Sequence, residues 1–341
     1  MRNSLCNRNC NKCKMSIKGV CNGCSLCDIS FCNCKESSRK RCMVICPKKL
    51  GSFSETEEMQ NKNGQVFLMP NKKYNFPKYI PIMPDRVKTQ FDFTSVKNYI
   101  GVHGEFLLTA NGEEISPIYR LRGFKDALGV DSGIKGIAEF YIKDRALEGF
   151  WDNRQAIYTQ IKNQKFDAVI TPNFSLYEDA PRIEHLYNIQ RVKTVYNEMI
   201  TAGISAILDV VWATEEDLMY WIDEINRSDI KTIAFSFMNV GTKLKASNSW
   251  RHYLLGYKIL IKSIRLDVDI LIAGLSSIQK IVEIVNVSEG RNISILNQAA
   301  WVNSRKGFSI KHKAQLERSI TKDEIFMMNM EYLSSLYQEL E

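Results

Sequence analysis

From about Val66 to the end of the chain, short apolar runs rich in β-branched residues alternate with longer segments whose apolar positions recur every three or four residues. Runs of the first kind suit strands buried on both faces, and segments of the second kind suit helices with one buried stripe. The clearest strands are expected at residues 136–142, 167–171, 205–211, 232–237, 269–273 and 292–296. Helices are expected between and after them, at residues 144–165, 181–202, 214–228, 248–266 and 277–287. Asp144, Pro181, and Thr214 followed by Glu215, Glu216 and Asp217 are helix-start signals, and Gly203 is a stop.

Six βα units are legible, and two fainter strands at residues 65–69 and 78–83 bring the total to eight, the number that closes a barrel. The expected fold is therefore α/β, a TIM-like (β/α)8 barrel. An open doubly wound sheet is the rival, because residues 91–133, with a hairpin signal at Asn111-Gly112, suit neither scheme neatly. A terminal helix over 313–340 is expected to pack on the outside through Leu316, Ile320, Ile325, Met328 and Leu333.

Composition divides the chain in two. With 341 residues and 45% hydrophobic content there is material for a large core, which excludes wholesale disorder. Of the 46 Lys and Arg, 11 lie in the first 50 residues beside only Asp28 and Glu36, a local charge of +9; the rest of the chain sums to −1. All ten cysteines lie between Cys6 and Cys46. The expected organisation is a cysteine-rich head at 1–50, a linker at 51–65, the barrel at 66–311 and the terminal helix at 312–341. No apolar run is long enough to span a bilayer, so no membrane partner is expected. The N-terminus lacks the apolar core of a secretory signal, which predicts a cytoplasmic chain with reduced thiols.

The head reads Cys6-x3-Cys10-x2-Cys13-x7-Cys21-x2-Cys24-x2-Cys27-x4-Cys32-x-Cys34-x7-Cys42-x3-Cys46-Pro47. Short gaps let neighbouring thiolates converge on one metal. Cys21, Cys24 and Cys27 with a distant Cys46-Pro47 resemble a spread-out ferredoxin motif, which implies an iron-sulfur cluster of the 4Fe-4S type. A second centre would draw on Cys6, Cys10, Cys13 and one of Cys32, Cys34 or Cys42. Four-thiolate zinc sites use the same short spacings, and zinc is the alternative; a disulfide-stapled or merely thiol-rich segment is a third reading. Cys6-x3-Cys10-x2-Cys13 also has the spacing of the radical S-adenosylmethionine motif, but no strand precedes it and Lys12 fills the usual aromatic position. The bases among these cysteines suit contact with nucleic-acid phosphates, and they equally suit offsetting the charge of thiolate clusters.

In a parallel barrel the chemistry gathers just after the strands. Those positions hold Lys143 and Asp144; Asn173, Ser175 and Asp179; Asp209 and Trp212; Ser236 and Asn239; Ser276 and Ser277; and Gln298, Trp301, Asn303 and Arg305. Asp209 stands inside the apolar run ILDVVW, where an unpaired carboxylate is costly to bury and so needs a partner or a task. The histidines, His103, His185, His252 and His312, show no metal-ligand spacing. Nor is there a Ser-His-Asp order, a Walker loop or a dinucleotide glycine fingerprint.

Residues 166–212 resemble a family of uncharacterised proteins of bacteria, phages and plasmids, through Pro172, Phe174, Ser175, Leu176, Tyr177, Pro181, Asn188, Arg191, Gly203 and Trp212. The resemblance implies a mobile genetic element or its host as the setting. Two positions depart from the family pattern: Asn173 and Lys143 stand where relatives carry aspartate. The strand order and the late LNQAAWVNSRKG also resemble the barrels of queuine- and deazaguanine-type base-exchange enzymes, which use an aspartate nucleophile; here Asn297 or Gln298 stands near its place.

Together these features lead to an iron-sulfur barrel protein acting on a nucleic acid or nucleotide. Asp144 or Asp209 would be general base or nucleophile, Asn173 and Ser175 would orient the ligand, Trp212 or Trp301 would stack on a base, and Arg305 would hold a phosphate. The remaining ligand contacts would come from Asp179, Ser236, Asn239, Ser276 and Gln298. The alternative is a non-catalytic DNA-binding or replication-associated protein whose metal-stapled head does the binding.

Overall fold

The structure, a computed structural model, describes residues 58–59, 61–89, 92–176, 182–238, 247–288, 290–317 and 319–340. The chain runs β1 (Tyr79–Met83), β2 (Tyr99–His103), α1 (Gly104–Leu107), α2 (Pro117–Leu128), β3 (Lys135–Glu139), α3 (Asp144–Gln164), β4 (Ala168–Ile170) and α4 (Arg182–Thr201). It continues through β5 (Ala206–Asp209), α5 (Glu215–Arg227), β6 (Thr232–Ser236), α6 (Ser247–Ser263), β7 (Asp269–Ala273), α7 (Ile278–Val287) and β8 (Ile293–Asn297). Then follow α8 (Ala299–Arg305), a small hairpin β9 (Phe308–Ser309) and β10 (Ala314–Gln315), and α9 (Lys322–Gln338).

Strands β1 to β8 pair in chain order, all parallel, and Tyr79 on β1 pairs with Ile295 on β8, which closes the barrel. That closure excludes the open sheet. Two local expectations are also corrected. Residues 65–69 form no strand; β2 takes that place in the barrel, within the stretch that fitted neither scheme. The Asn111-Gly112 turn closes only one antiparallel bridge, Leu108 to Ile115, and α2 follows it.

Residues 66–78 instead cross the N-terminal mouth of the barrel as a strap. Asn71 Oδ1 accepts from the Lys231 and Thr232 amides at 2.8 and 3.2 Å, Asn71 Nδ2 donates to the Thr232 carbonyl at 2.7 Å, and Tyr74 Oη donates to the Ser205 carbonyl at 3.3 Å. Tyr74 and Phe76 stack at 4.7 Å and join the interior cluster that includes Tyr99, Ile137, Ile207 and Leu271. The expected linker is likewise partly ordered: residues 61–64 are helical and Asn63 Nδ2 donates to Gln190 Oε1 on α4 at 2.8 Å.

Side chains alternate along each strand, so the residues in phase with that interior cluster also point inward. His103 is in phase with Tyr99, Glu139 with Ile137, Asp209 with Ile207, and Ser236 with Ala234. The barrel thus carries an aromatic plug at one mouth, aliphatic layers in the middle and a polar layer at the other. Gly101 keeps the middle closed, since a Cβ there would lie 2.7 Å from Ile82 Cγ1 and 2.8 Å from Leu296 Cδ1.

The terminal helix is shorter than expected, because Ala314–Gln315 form β10 and α9 begins only at Lys322. Leu316 and Ile320 therefore lie outside it and Met328 is exposed, while Ile325, Phe326, Met330, Leu333 and Tyr337 make the buried face. Helix α3 meets the loop before α2 at Gly149, where a Cβ would fall 1.8 Å from the Asn111 carbonyl oxygen. Gly149→Ala is accordingly expected to cost about 1–3 kcal/mol in urea unfolding, since two backbones must part; an unchanged midpoint would contradict this packing.

Candidate active site

Parallel register makes the central contact. Tyr99 on β2 pairs with Lys135 on β3, so four residues further on His103 pairs with Glu139. Both side chains are buried, and His103 Nδ1 forms a short hydrogen bond with Glu139 Oε1. The other carboxylate oxygen, Oε2, accepts the Tyr141 backbone N–H at 2.8 Å. His103 Nε2 lies 3.7 Å from Glu105 Oε2, and Glu105 Oε1 in turn accepts from Lys143 Nζ at 2.5 Å. Burial opposes protonation of His103, yet Glu139 and Glu105 outweigh it and hold the imidazole pKa above its usual value.

The second centre is Asp209, at the end of β5 and inaccessible to solvent. Its backbone N–H donates to Thr171 Oγ1 at 2.9 Å. Its carboxylate accepts from Tyr141 Oη at 3.1 Å and Asn173 Nδ2 at 2.6 Å. Burial pushes its pKa up to about 7, against the lowering effect of Asn173 and Tyr141. Asn173 suits this place because an amide can donate, whereas a second carboxylate there would face the first.

Because folding raises the Asp209 pKa, its contribution to stability is fully present below about pH 4 and is lost as pH rises through about 7. Asp209→Asn is expected to match the parent within about 1 kcal/mol below about pH 4 and to be more stable by about 1–3 kcal/mol above pH 8. Urea unfolding at the two pH values checks this; a variant less stable than the parent at pH 8.5 would contradict it.

A cavity of about 420 Å³ opens at this polar mouth, within the range of small-molecule sites. His103, Glu139 and Tyr141 line one side, Ser276, Gln298 and Asn303 another, with Ile82, Val302 and Leu333 among the apolar walls. Among the described residues no Lys or Arg lines it. Asp209 lies behind Tyr141, beside a much smaller cavity of about 30 Å³ lined by Asn173, Ser236 and Trp212.

The other expected site residues are distributed as follows. Ser276 and Gln298 line the large cavity. Asp144 opens α3, accepting from Ser175 Oγ at 2.7 Å. Ser236 Oγ accepts the Met238 amide at 3.2 Å. Trp212 is buried, stacked on His252 at 4.6 Å and pressed against Gly256, which leaves no open face for a base. Trp301 packs on Phe326, and Arg305 lies over Trp301 while binding Asp323 Oδ1 at 2.7 Å, so both face α9. Asp179, Asn239 and the ten cysteines lie outside the described residues. Among the described residues no group of three or more His, Cys, Asp and Glu could hold a metal ion, and no helix is long and apolar enough to cross a membrane.

The motif residues around Ser175 form a clasp between helices. Asn188 Nδ2 donates to the Ser175 carbonyl at 2.7 Å, and Arg191 donates to Asn188 Oδ1 at 2.6 Å and to Glu148 Oε1 on α3 at 2.8 Å. The Arg191 guanidinium also lies 4.0 Å over Phe174. These contacts fix the loop after β4, and so the Asn173 amide that reaches Asp209.

A parallel eight-stranded barrel with a polar mouth defines the class of fold. Residues 114–285, half of the chain, match the family described as Domain of unknown function (DUF4417), and the chain belongs to that family. It is also similar to the Gene 1 protein of Mycobacterium phage D29 and to that of Mycobacterium phage L5, each 27% identical over 105 residues, 31% of this chain. The matched stretch spans 37% of the first relative and 44% of the second.

Proposed function

We propose that this protein is an acid-base enzyme acting on a nucleic acid or nucleotide, of base-exchange or base-modification type, with an iron-sulfur cluster in its cysteine-rich head. The observation that carries the reading is the buried His103–Glu139 pair opening into a cavity of about 420 Å³. An imidazole whose pKa lies above its usual value can give a proton from Nε2 to a leaving or ring nitrogen and recover one from water, while Glu139 holds Nδ1 and offsets the positive charge. Ser276, Gln298 and Asn303 supply hydroxyl and amide groups of the kind that pair with the edge of a heterocycle, and the apolar walls suit its faces. Similarity to phage proteins agrees with a mobile-element setting. The spacing of the ten thiols supports the cluster, with zinc as the alternative.

The test is incubation of anaerobically purified protein with DNA, RNA and nucleotides, with mass spectrometry of the products and iron, sulfide and zinc analysis of the protein. Released or altered bases that vanish when His103 is replaced are expected; no product and no binding with any of these would end the reading. A brown protein containing iron and sulfide is expected, and a colourless zinc protein would replace the cluster. The charge division, +9 in the first 50 residues and −1 beyond, favours a second reading, a non-catalytic DNA-binding protein that binds through its head. DNA affinity that falls steeply with salt and survives replacement of Glu139, with no product formed, would favour it.

A further inference from the structure

We propose that Tyr141 and Asp209 are positioning residues that set the proton affinity of the His103–Glu139 pair from behind the cavity wall. The catalytic meaning of this inference rests on the proposed function; its physical content does not. Asp209 was an obvious candidate for direct chemistry, yet it does not line the large cavity, whereas Tyr141 does. Tyr141 touches both centres: its backbone N–H donates to Glu139 Oε2 at 2.8 Å, and its phenol donates to Asp209 Oδ1 at 3.1 Å. Asp209 is a rigid anchor for that phenol. Its backbone is held by Thr171 and by pairing with Ala234 on β6, and its second oxygen by Asn173.

A continuous chain of contacts therefore runs from Asn173 through Asp209, Tyr141 and Glu139 to His103 Nδ1. With Tyr141 clamped at its ring end, its amide fixes one Glu139 oxygen and turns the other toward the imidazole. Release of the phenol frees the Tyr141 backbone to move, so Glu139 can rotate and its hold on the imidazolium weakens. Among the described residues, the charged groups that face His103 are Glu139 from β3 and Glu105 from α1, the latter bridged to Lys143; the cavity lining from β7, β8 and α8 carries none.

The test is an NMR titration of the His103 ring in the full-length protein, comparing the parent with Tyr141→Phe and Asp209→Asn. Both variants are expected to lower the His103 midpoint by about half a pH unit or more. Midpoints that stay in place or rise in both variants would overturn the inference. Tyr141→Phe keeps the ring packing and loses one hydroxyl, so it decides the matter if Asp209→Asn does not fold. The titration needs no substrate, which separates the two claims. A lowered midpoint in a protein that yields no product leaves the positioning pair standing without the enzyme reading. An unmoved midpoint in a protein whose turnover depends on His103 does the reverse.

Discussion

Glu139→Gln is expected to lower turnover by about 100-fold or more while leaving ligand affinity within a few-fold of the parent, the usual size of a lost acid-base contribution. The variant keeps nearly the same shape, so the cavity is preserved, but the amide can no longer offset an imidazolium. His103 then loses the contact that outweighs its burial, and its midpoint falls. His103→Gln should be equally damaging and should remove the pH dependence assigned to that group. Replacing both should cost little more than replacing either, because the two side chains act as one unit. Near-parental turnover in Glu139→Gln would remove the pair from the chemistry.

The largest stability effect is expected at Asp217→Ala, a loss of about 3–5 kcal/mol in urea unfolding. Arg182 at the start of α4 and Asp217 in the first turn of α5 are both buried and joined by two hydrogen bonds, one of 2.9 Å between Nη1 and Oδ2. The same Oδ2 accepts the Ala213 and Thr214 amides at 3.0 Å each, capping α5. Burial favours the neutral carboxyl, but Arg182 and those amides prevail and hold the Asp217 pKa below its ordinary value. Its stabilisation is thus present above the ordinary carboxylate pKa and is lost as pH falls through the lowered one. Truncation takes the Asp217 carboxylate from a buried guanidinium and the cap from α5, whereas Arg182→Met combined with Asp217→Leu should recover much of the loss. A loss below about 1 kcal/mol for Asp217→Ala would show that water reaches the pair.

The strands that were legible in the sequence are those whose apolar runs stand clear of their neighbours, such as Asp269–Ala273, found as expected. Strand β2 was hidden because YIGVH contains a glycine and ends on a histidine, both poor strand signals. Helix α2 was hidden because Gly123, at φ 75°, interrupts its period. Asp209 drew notice as a carboxylate in an apolar run. His103 and Glu139 gave no such signal: they lie 36 residues apart, and nothing in their local sequence couples them. Trp212 and Trp301 show the opposite limit, since aromatic residues after a strand serve a core as readily as a ligand, and here both are packed beneath helices.

By itself the amino-acid sequence determined the alternation of strand and helix, seven of the eight barrel strands, and the separation of a basic, cysteine-dense head from a nearly neutral body. Those properties follow from local periodicity and composition, which short stretches of chain carry without reference to distant ones. Only the tertiary structure decided which groups meet: the register of β2 on β3 sets His103 against Glu139, and the inward phase of β5 carries Asp209 to Tyr141 and Asn173. The reason is that register depends on the packing of whole strands against a shared interior, and a shift of one residue would turn each of these side chains to the opposite face.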